Sequence, residues 1–129
     1  TNIFAIDLLD MDPITGVTFI KDDIENIDDI NIINPFKGKF DLVISDIAPN
    51  LSGIKSVDDE NIFELNLMSI NIANKYLKDT NAAMIIKTFQ NNNLKSLRKH
   101  MELLFKIVQT YKPAASKNKS AEIYLYGAR

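Results

Sequence analysis

Four apolar runs in this chain end in a charged side chain, and the charges are of the kinds that bind and transfer protons. Asn2 to Ile6 leads to Asp7, Val17 to Ile20 leads through Lys21 and Asp22 to Asp23, and Leu42 to Ile44 leads through Ser45 to Asp46. Ala82 to Ile86 leads to Lys87. A short apolar run reads as a buried strand of a parallel sheet, so each charge stands at the strand's carboxyl end. Ligands of open α/β sheets bind beyond those ends, and a carboxylate there faces a crevice. Aspartate in that position also caps turns and helices, which is the plainer role for all three. A lysine closing a buried strand asks for a chemical reason. It serves as a base when burial or a neighbouring cation brings its pKa down towards neutrality, and Lys87 meets the first condition.

The elements that must position these groups follow from the pattern around them. Phe40 to Gly53 is a strand running into a loop whose Pro49, Asn50 and Gly53 cannot extend it. Ser56 to Glu60 offers polar capping residues and first-turn acids. Ile62, Leu65, Ser69, Ile72, Ala73, Tyr76 and Leu77 then recur at helical spacing, a crossover helix. Asn81 to Phe89 is the strand that carries Lys87. Leu94, Leu97, Met101, Leu104 and Phe105 mark a second helix, whose polar face includes the single histidine, His100, read as solvated. Leu8 to Gly16 reads as a loop, and Ile24 to Lys39 as a short irregular helix. Lys106 to Tyr111 and Glu122 to Tyr126 are strands joined by about ten residues, so they are antiparallel, because a parallel return needs a longer crossover. If the other strands are parallel, Asp7, Asp23 and Asp46 share one sheet edge.

At 129 residues the chain is one domain with room for a continuous core. Hydrophobic residues at 46% and charged residues at 25% are ordinary for a globular protein, and no apolar run approaches membrane-spanning length. Without cysteine there are no disulfides or thiolate metal sites. A net charge of -2 gives no global attraction for nucleic acid, so any such contact must come from a local basic patch.

The antiparallel final strand distinguishes this sheet from dinucleotide-binding ones. Asp7-Leu8-Leu9-Asp10-Met11-Asp12-Pro13-Ile14, Ser45-Asp46-Ile47-Ala48-Pro49-Asn50-Leu51-Ser52-Gly53, Lys87-Thr88-Phe89-Gln90, and Lys112-Pro113 with Ser116, Ser120 and Glu122-Ile123-Tyr124 occur in that order. In these blocks the chain resembles the FtsJ/RrmJ family of ribosomal RNA 2'-O-methyltransferases. The resemblance implies a Rossmann-like α/β sheet, mostly parallel with an antiparallel carboxyl-terminal hairpin strand, and helices on both faces. It implies S-adenosyl-L-methionine as cofactor, no metal, and ribosomal RNA or the large ribosomal subunit as partner. It implies further a monomer without membrane contact, cytoplasmic or, in a eukaryote, organellar (mitochondrial). Family members methylate a ribose 2'-hydroxyl, here most simply of a uridine, with a lysine–aspartate–lysine–glutamate tetrad. Asp46, Lys87 and Glu122 match three of its members, with Lys87 as general base. Asp7 would meet the nucleoside ribose hydroxyls with Leu8 beside it, Asp23 the adenine amino group, and Asp46 would border the same pocket. Asp22 stands where glycine is common. The family's first lysine, first strand and glycine-rich loop have no counterpart here, which suggests a fragment of a longer protein.

RNA contact would fall to Lys112, Lys117 and Lys119 around the last hairpin and to Lys55 in the loop after Asp46, or these lysines simply solubilise loops. Two other classes compete with a ribose methyltransferase. One is a catalytically inactive nucleoside- or RNA-binding module of the same fold. The other is a nicotinamide-dependent enzyme, disfavoured by the final hairpin and by the lack of G-x-G-x-x-G.

Overall fold

The computed structural model describes residues 1–113 and 121–129. They form two compact units, Thr1–Lys37 and Gly38–Arg129. In the first unit, β1 (Ile3–Asp7) pairs in parallel with β2 (Val17–Lys21), Ile3 opposite Val17 and Asp7 opposite Lys21. The connection, Leu8 to Gly16, contains no helix. A five-residue strand is about 17 Å long and a nine-residue extended loop reaches about 30 Å, so a bare loop can return to the starting end. It turns where Val17 N–H donates to the Ile14 carbonyl (3.1 Å), with Gly16 at a left-handed φ of 84°. The irregular helical stretch resolves into two 3-10 segments, Ile24–Asp29 and Asn34–Phe36. Ile27, Ile30 and Ile33 are buried at the three-residue period of that helix type.

The second unit runs β3 (Leu42–Ser45), α1 (Lys55–Tyr76), β4 (Ala83–Phe89), α2 (Leu94–Leu104), β5 (Ile107–Tyr111) and β6 (Glu122–Ala128). Its strand order is β3-β4-β6-β5, with β3 parallel to β4 and β6 antiparallel to both neighbours. The last strand, β6, therefore lies inside the sheet, and β5 forms its edge. β1 pairs with β2 and β3 with β4, so the hydrogen-bonded strands form two sheets. Asp7 and Asp46 belong to different ones, and the expected single edge carrying all three carboxylates is not what the ladders show.

Strand alternation decides which residues enter the core. Met84, Ile86 and Thr88 of β4 and Ile123, Leu125 and Gly127 of β6 point to one face and are buried. α1 brings Ile70 and Ala73 to that face and its C-cap residue, Leu77, joins them, while α2 brings Leu97 and Met101. Both long helices thus pack on the same side. Ile70 and the buried Asn66 lay outside the stripe read from the sequence. Gly127 has a definite reason: a Cβ there would lie 2.8 Å from Met101 Cε and 2.9 Å from the Phe105 ring, so α2 crosses β6 where only glycine leaves room. Arg129 closes the other end of the unit. Its guanidinium donates to the Leu77 and Lys78 carbonyls (3.4 and 3.0 Å) and to Asn74, and lies over the Phe105 ring. It satisfies carbonyls that the end of α1 leaves without partners.

Candidate active site

The carboxyl ends of β3, β4 and β5 and the amino end of β6 fall on one edge of the four-stranded sheet. Lys87 alternates away from the buried face, and its ammonium meets the Asp46 carboxylate at 2.6 Å. The lysine side chain is 20% exposed and its partner 66%, so the carboxylate stands in water while the ammonium is half-sunk. Lys87 lies opposite Tyr124 of β6, and Glu122 lies opposite Phe89 two register steps away, on the same face. The charges of Asp46, Glu122 and Tyr124 all act on the lysine.

Those charges overturn one expectation. Burial alone pushes the Lys87 pKa down, yet it stands above its ordinary value because the Asp46 hydrogen bond outweighs burial, assisted by the charges of Asp46, Glu122 and Tyr124. In this structure Lys87 is a firmly held ammonium. Burial at a strand end was visible in the sequence, whereas the ion pair depends on the loop bringing Asp46 back to β4.

That loop is fixed by a residue the sequence suggested only as a first-turn acid. Asp58 accepts hydrogen bonds from the Ser52 amide (2.7 Å), the Ser52 hydroxyl (2.8 Å) and the Gly53 amide (3.2 Å). The residue at the helix N-cap position is Ile54, which makes no side-chain cap, so α1 is tied down from inside its first turn. The Ser52 amide and hydroxyl hold the Asp58 carboxyl below its ordinary pKa of 3.8 against an upward push from desolvation, with the Gly53 amide adding a lesser downward one. A depressed carboxyl stabilises the fold above its unfolded pKa, and the benefit is lost as pH falls through the folded one. In an NMR acid titration the Ser52 and Gly53 amide shifts are expected to move with a midpoint below 3.8, and a midpoint at or above that value would dissolve the clamp.

Asn66 of α1 and Thr88 of β4 form a second buried link, Asn66 Nδ2 donating to Thr88 Oγ1 at 2.7 Å. It sits directly behind Lys87, and its polar side chains carried no sequence signal, since both occupy positions a core residue would fill. The hydroxyl of Ser45, beside Asp46, is buried with no hydrogen-bond partner among the described residues.

The remaining candidates are placed as follows. Asp7 is exposed at the end of β1, and its Oδ1 accepts from the Leu9 amide (3.0 Å); Leu8 beside it is exposed. Asp23 caps the first 3-10 segment by accepting from the Glu25 amide (2.9 Å). Its neighbour Asp22 accepts from the Asp23 amide and Asn26 Nδ2. All of these lie in the first unit, while Asp46, Lys87 and Glu122 come together in the second. Lys55 is the first residue of α1 rather than part of the loop, and it is paired with Asp59 at 2.6 Å. Lys112 is partly buried, and Lys117 and Lys119 lie outside the described residues. His100 shares a 2.8 Å hydrogen bond with Asn71, joining the two helices. Among the described residues no group of three or more His, Cys, Asp or Glu could hold a metal ion, and no helix is long and apolar enough to cross a membrane.

Comparison with known proteins adds family evidence to this geometry. The ribosomal RNA large subunit methyltransferase E of Chromobacterium violaceum is 39% identical over 130 residues, covering 97% of this chain and 62% of that protein. The protein of the same name from Variovorax paradoxus is 39% identical over 127 residues, covering 97% of this chain and 57% of the relative. The chain thus spans about three fifths of the length of these curated relatives. A crystal structure of a putative ribosomal RNA methyltransferase from Plasmodium falciparum superposes with a TM-score of 0.82 at 29% identity, over 99% of this chain and 71% of that one. A putative methyltransferase from Streptococcus mutans, solved with SAH, shares the fold at a TM-score of 0.56 and 12% identity, over 97% of this chain and 69% of that one. The family described as FtsJ-like methyltransferase matches residues 1–129, and the chain belongs to it.

Proposed function

We propose that this chain methylates a ribose 2'-hydroxyl of large-subunit ribosomal RNA, a uridine being the target, with S-adenosyl-L-methionine as methyl donor. The observation that carries the reading is the Asp46–Lys87 pair at the carboxyl edge of the sheet, with Glu122 close enough for its charge to act on the lysine. The names of the curated relatives support the ribosomal RNA substrate. The work would be done in whichever compartment, cytoplasmic or organellar, holds the large subunit.

The residues present fit the donor. Asp7 and Asp23 each use Oδ1 on a nearby backbone amide, which orients the carboxylate. A carboxylate retains lone pairs for further donors, so Asp7 can accept from ribose hydroxyls and Asp23 from an adenine amine, with Leu8 an apolar neighbour. S-adenosyl-L-methionine, when bound, supplies an electrophilic methyl group. The chain's own part is to orient the acceptor hydroxyl and take up its proton as the oxygen–methyl bond forms. Asp46 and Glu122 position the Lys87 amine, and Lys87 holds the 2'-oxygen by donating to it as an ammonium. In its neutral form, populated as pH rises, Lys87 accepts the hydroxyl proton.

The test is transfer of a labelled methyl group by the full-length protein to large-subunit RNA, free or assembled, with nuclease mapping of the product. Label on one ribose 2'-oxygen is the expected result. Label on a base would overturn the ribose assignment. Donor and RNA binding without label would make the chain a binding module.

A further inference from the structure

The edge strand β5 ends in an aromatic side chain that the chemistry above leaves unused. Tyr111 is 64% exposed. It stands opposite Tyr124, which in turn stands opposite Lys87. Directly opposed residues of antiparallel ladders project from the same face, so Lys87, Tyr124 and Tyr111 make one row across β4, β6 and β5, on the face turned away from α1 and α2. Adjacent strands are about 4.8 Å apart, which puts Tyr111 about 10 Å from Lys87 along the row. One nucleotide and its neighbour can touch both. Tyrosine is common in strands for packing reasons alone, but at the end of an edge strand with most of its surface in water Tyr111 packs little.

We infer that Tyr111 is a stacking platform for an unpaired base of the RNA whose ribose is presented to Lys87. This rests on the ribose methyltransferase reading and adds the form of its substrate. A base lying on a tyrosine ring has left its own helix, so the RNA is engaged as single-stranded or splayed nucleotides rather than as an intact duplex. Stacking tolerates any base, and Tyr111 therefore sets affinity and position rather than sequence preference. The chain's net charge of -2 leaves no general pull on the phosphates, so an exposed ring in the same row as a held ammonium is a direct way to retain a strand.

The experiment titrates this chain, as wild type, Tyr111→Phe, Tyr111→Leu and Tyr111→Ala, with a short unstructured oligoribonucleotide and with duplex RNA of equal length. The wild type should prefer the single strand. Tyr111→Phe should bind it within about twofold of wild type, and the Leu and Ala variants about tenfold more weakly. Thermal midpoints should agree across the set. Unchanged binding by Tyr111→Ala, or Leu matching Phe, would overturn the platform and leave the RNA reading standing. A wild type that binds neither RNA would overturn both.

Discussion

Lys87→Ala is expected to lower kcat for methyl transfer by about 10²–10⁴-fold in the full-length protein while leaving donor affinity nearly unchanged. The amine is the group placed to exchange a proton with the acceptor oxygen, and its anchor Asp46 lies 2.6 Å away. Lys87→Arg, which keeps the charge but cannot lose its proton, should be as inactive as the alanine variant. The pH dependence follows from the direction of the pKa shift. Lys87 is raised above 10.5, chiefly by the Asp46 hydrogen bond, so its basic form is scarce at neutral pH and grows with pH. The kcat profile should climb about tenfold per pH unit through neutrality without levelling before about pH 10. Asp46→Asn removes the main cause of the raised value and should move the profile to lower pH. A wild-type plateau near pH 7 would show that the ion pair does not persist during turnover. The same shift bears on stability with the opposite sense: the pair stabilises the fold below the unfolded lysine pKa and ceases to do so as pH rises through the folded one.

Thr88→Val is expected to destabilise the second unit by about 1–3 kcal/mol, because it strands a buried amide. Asn66 is 2% exposed and Thr88 3%, and the Asn66 amide donates to the Thr88 hydroxyl. Valine fits the space but offers no acceptor, so the amide stays desolvated without its bond. Asn66→Leu removes the amide and should cost about 1 kcal/mol. The double variant makes the site apolar on both sides and should cost less than the two singles together, with a coupling of about 0.5–3 kcal/mol by urea unfolding. Strict additivity would mean that the two side chains do not depend on each other.

The strands, the helices and their order were legible because period-2 and helical apolar patterns are strong where one face is buried, as in β4, α1 and α2. Sheet assignment was not, because ladder partners depend on edges that sequence order does not specify. β1 and β2 illustrate the point. The length rule that correctly made β5 and β6 antiparallel would have done the same for them, but a bare loop can reach back across so short a strand. At the site, Asp46 and Lys87 stood out as charges at the ends of apolar runs, and Glu122 through the family resemblance alone. Lys87's raised proton affinity did not, since it follows from a contact across the loop. Asp58 and the Asn66–Thr88 pair were hidden for a related reason. Their roles are set by partners that only the folded chain supplies, Ser52 and Gly53 in one case and each other in the second.

The position of β6 between β4 and β5 has a consequence for the order in which the protein comes into being. During synthesis β3, α1, β4, α2 and β5 emerge before β6, yet β4 and β5 have no ladder with each other. Until Glu122–Ala128 has left the ribosome, both strands present open edges, and Leu97 and Met101 lack the strand that α2 crosses at Gly127. The nascent chain must therefore carry an unclosed sheet until β6 has emerged, and over that interval pairing with a neighbouring chain competes with insertion of its own inner strand.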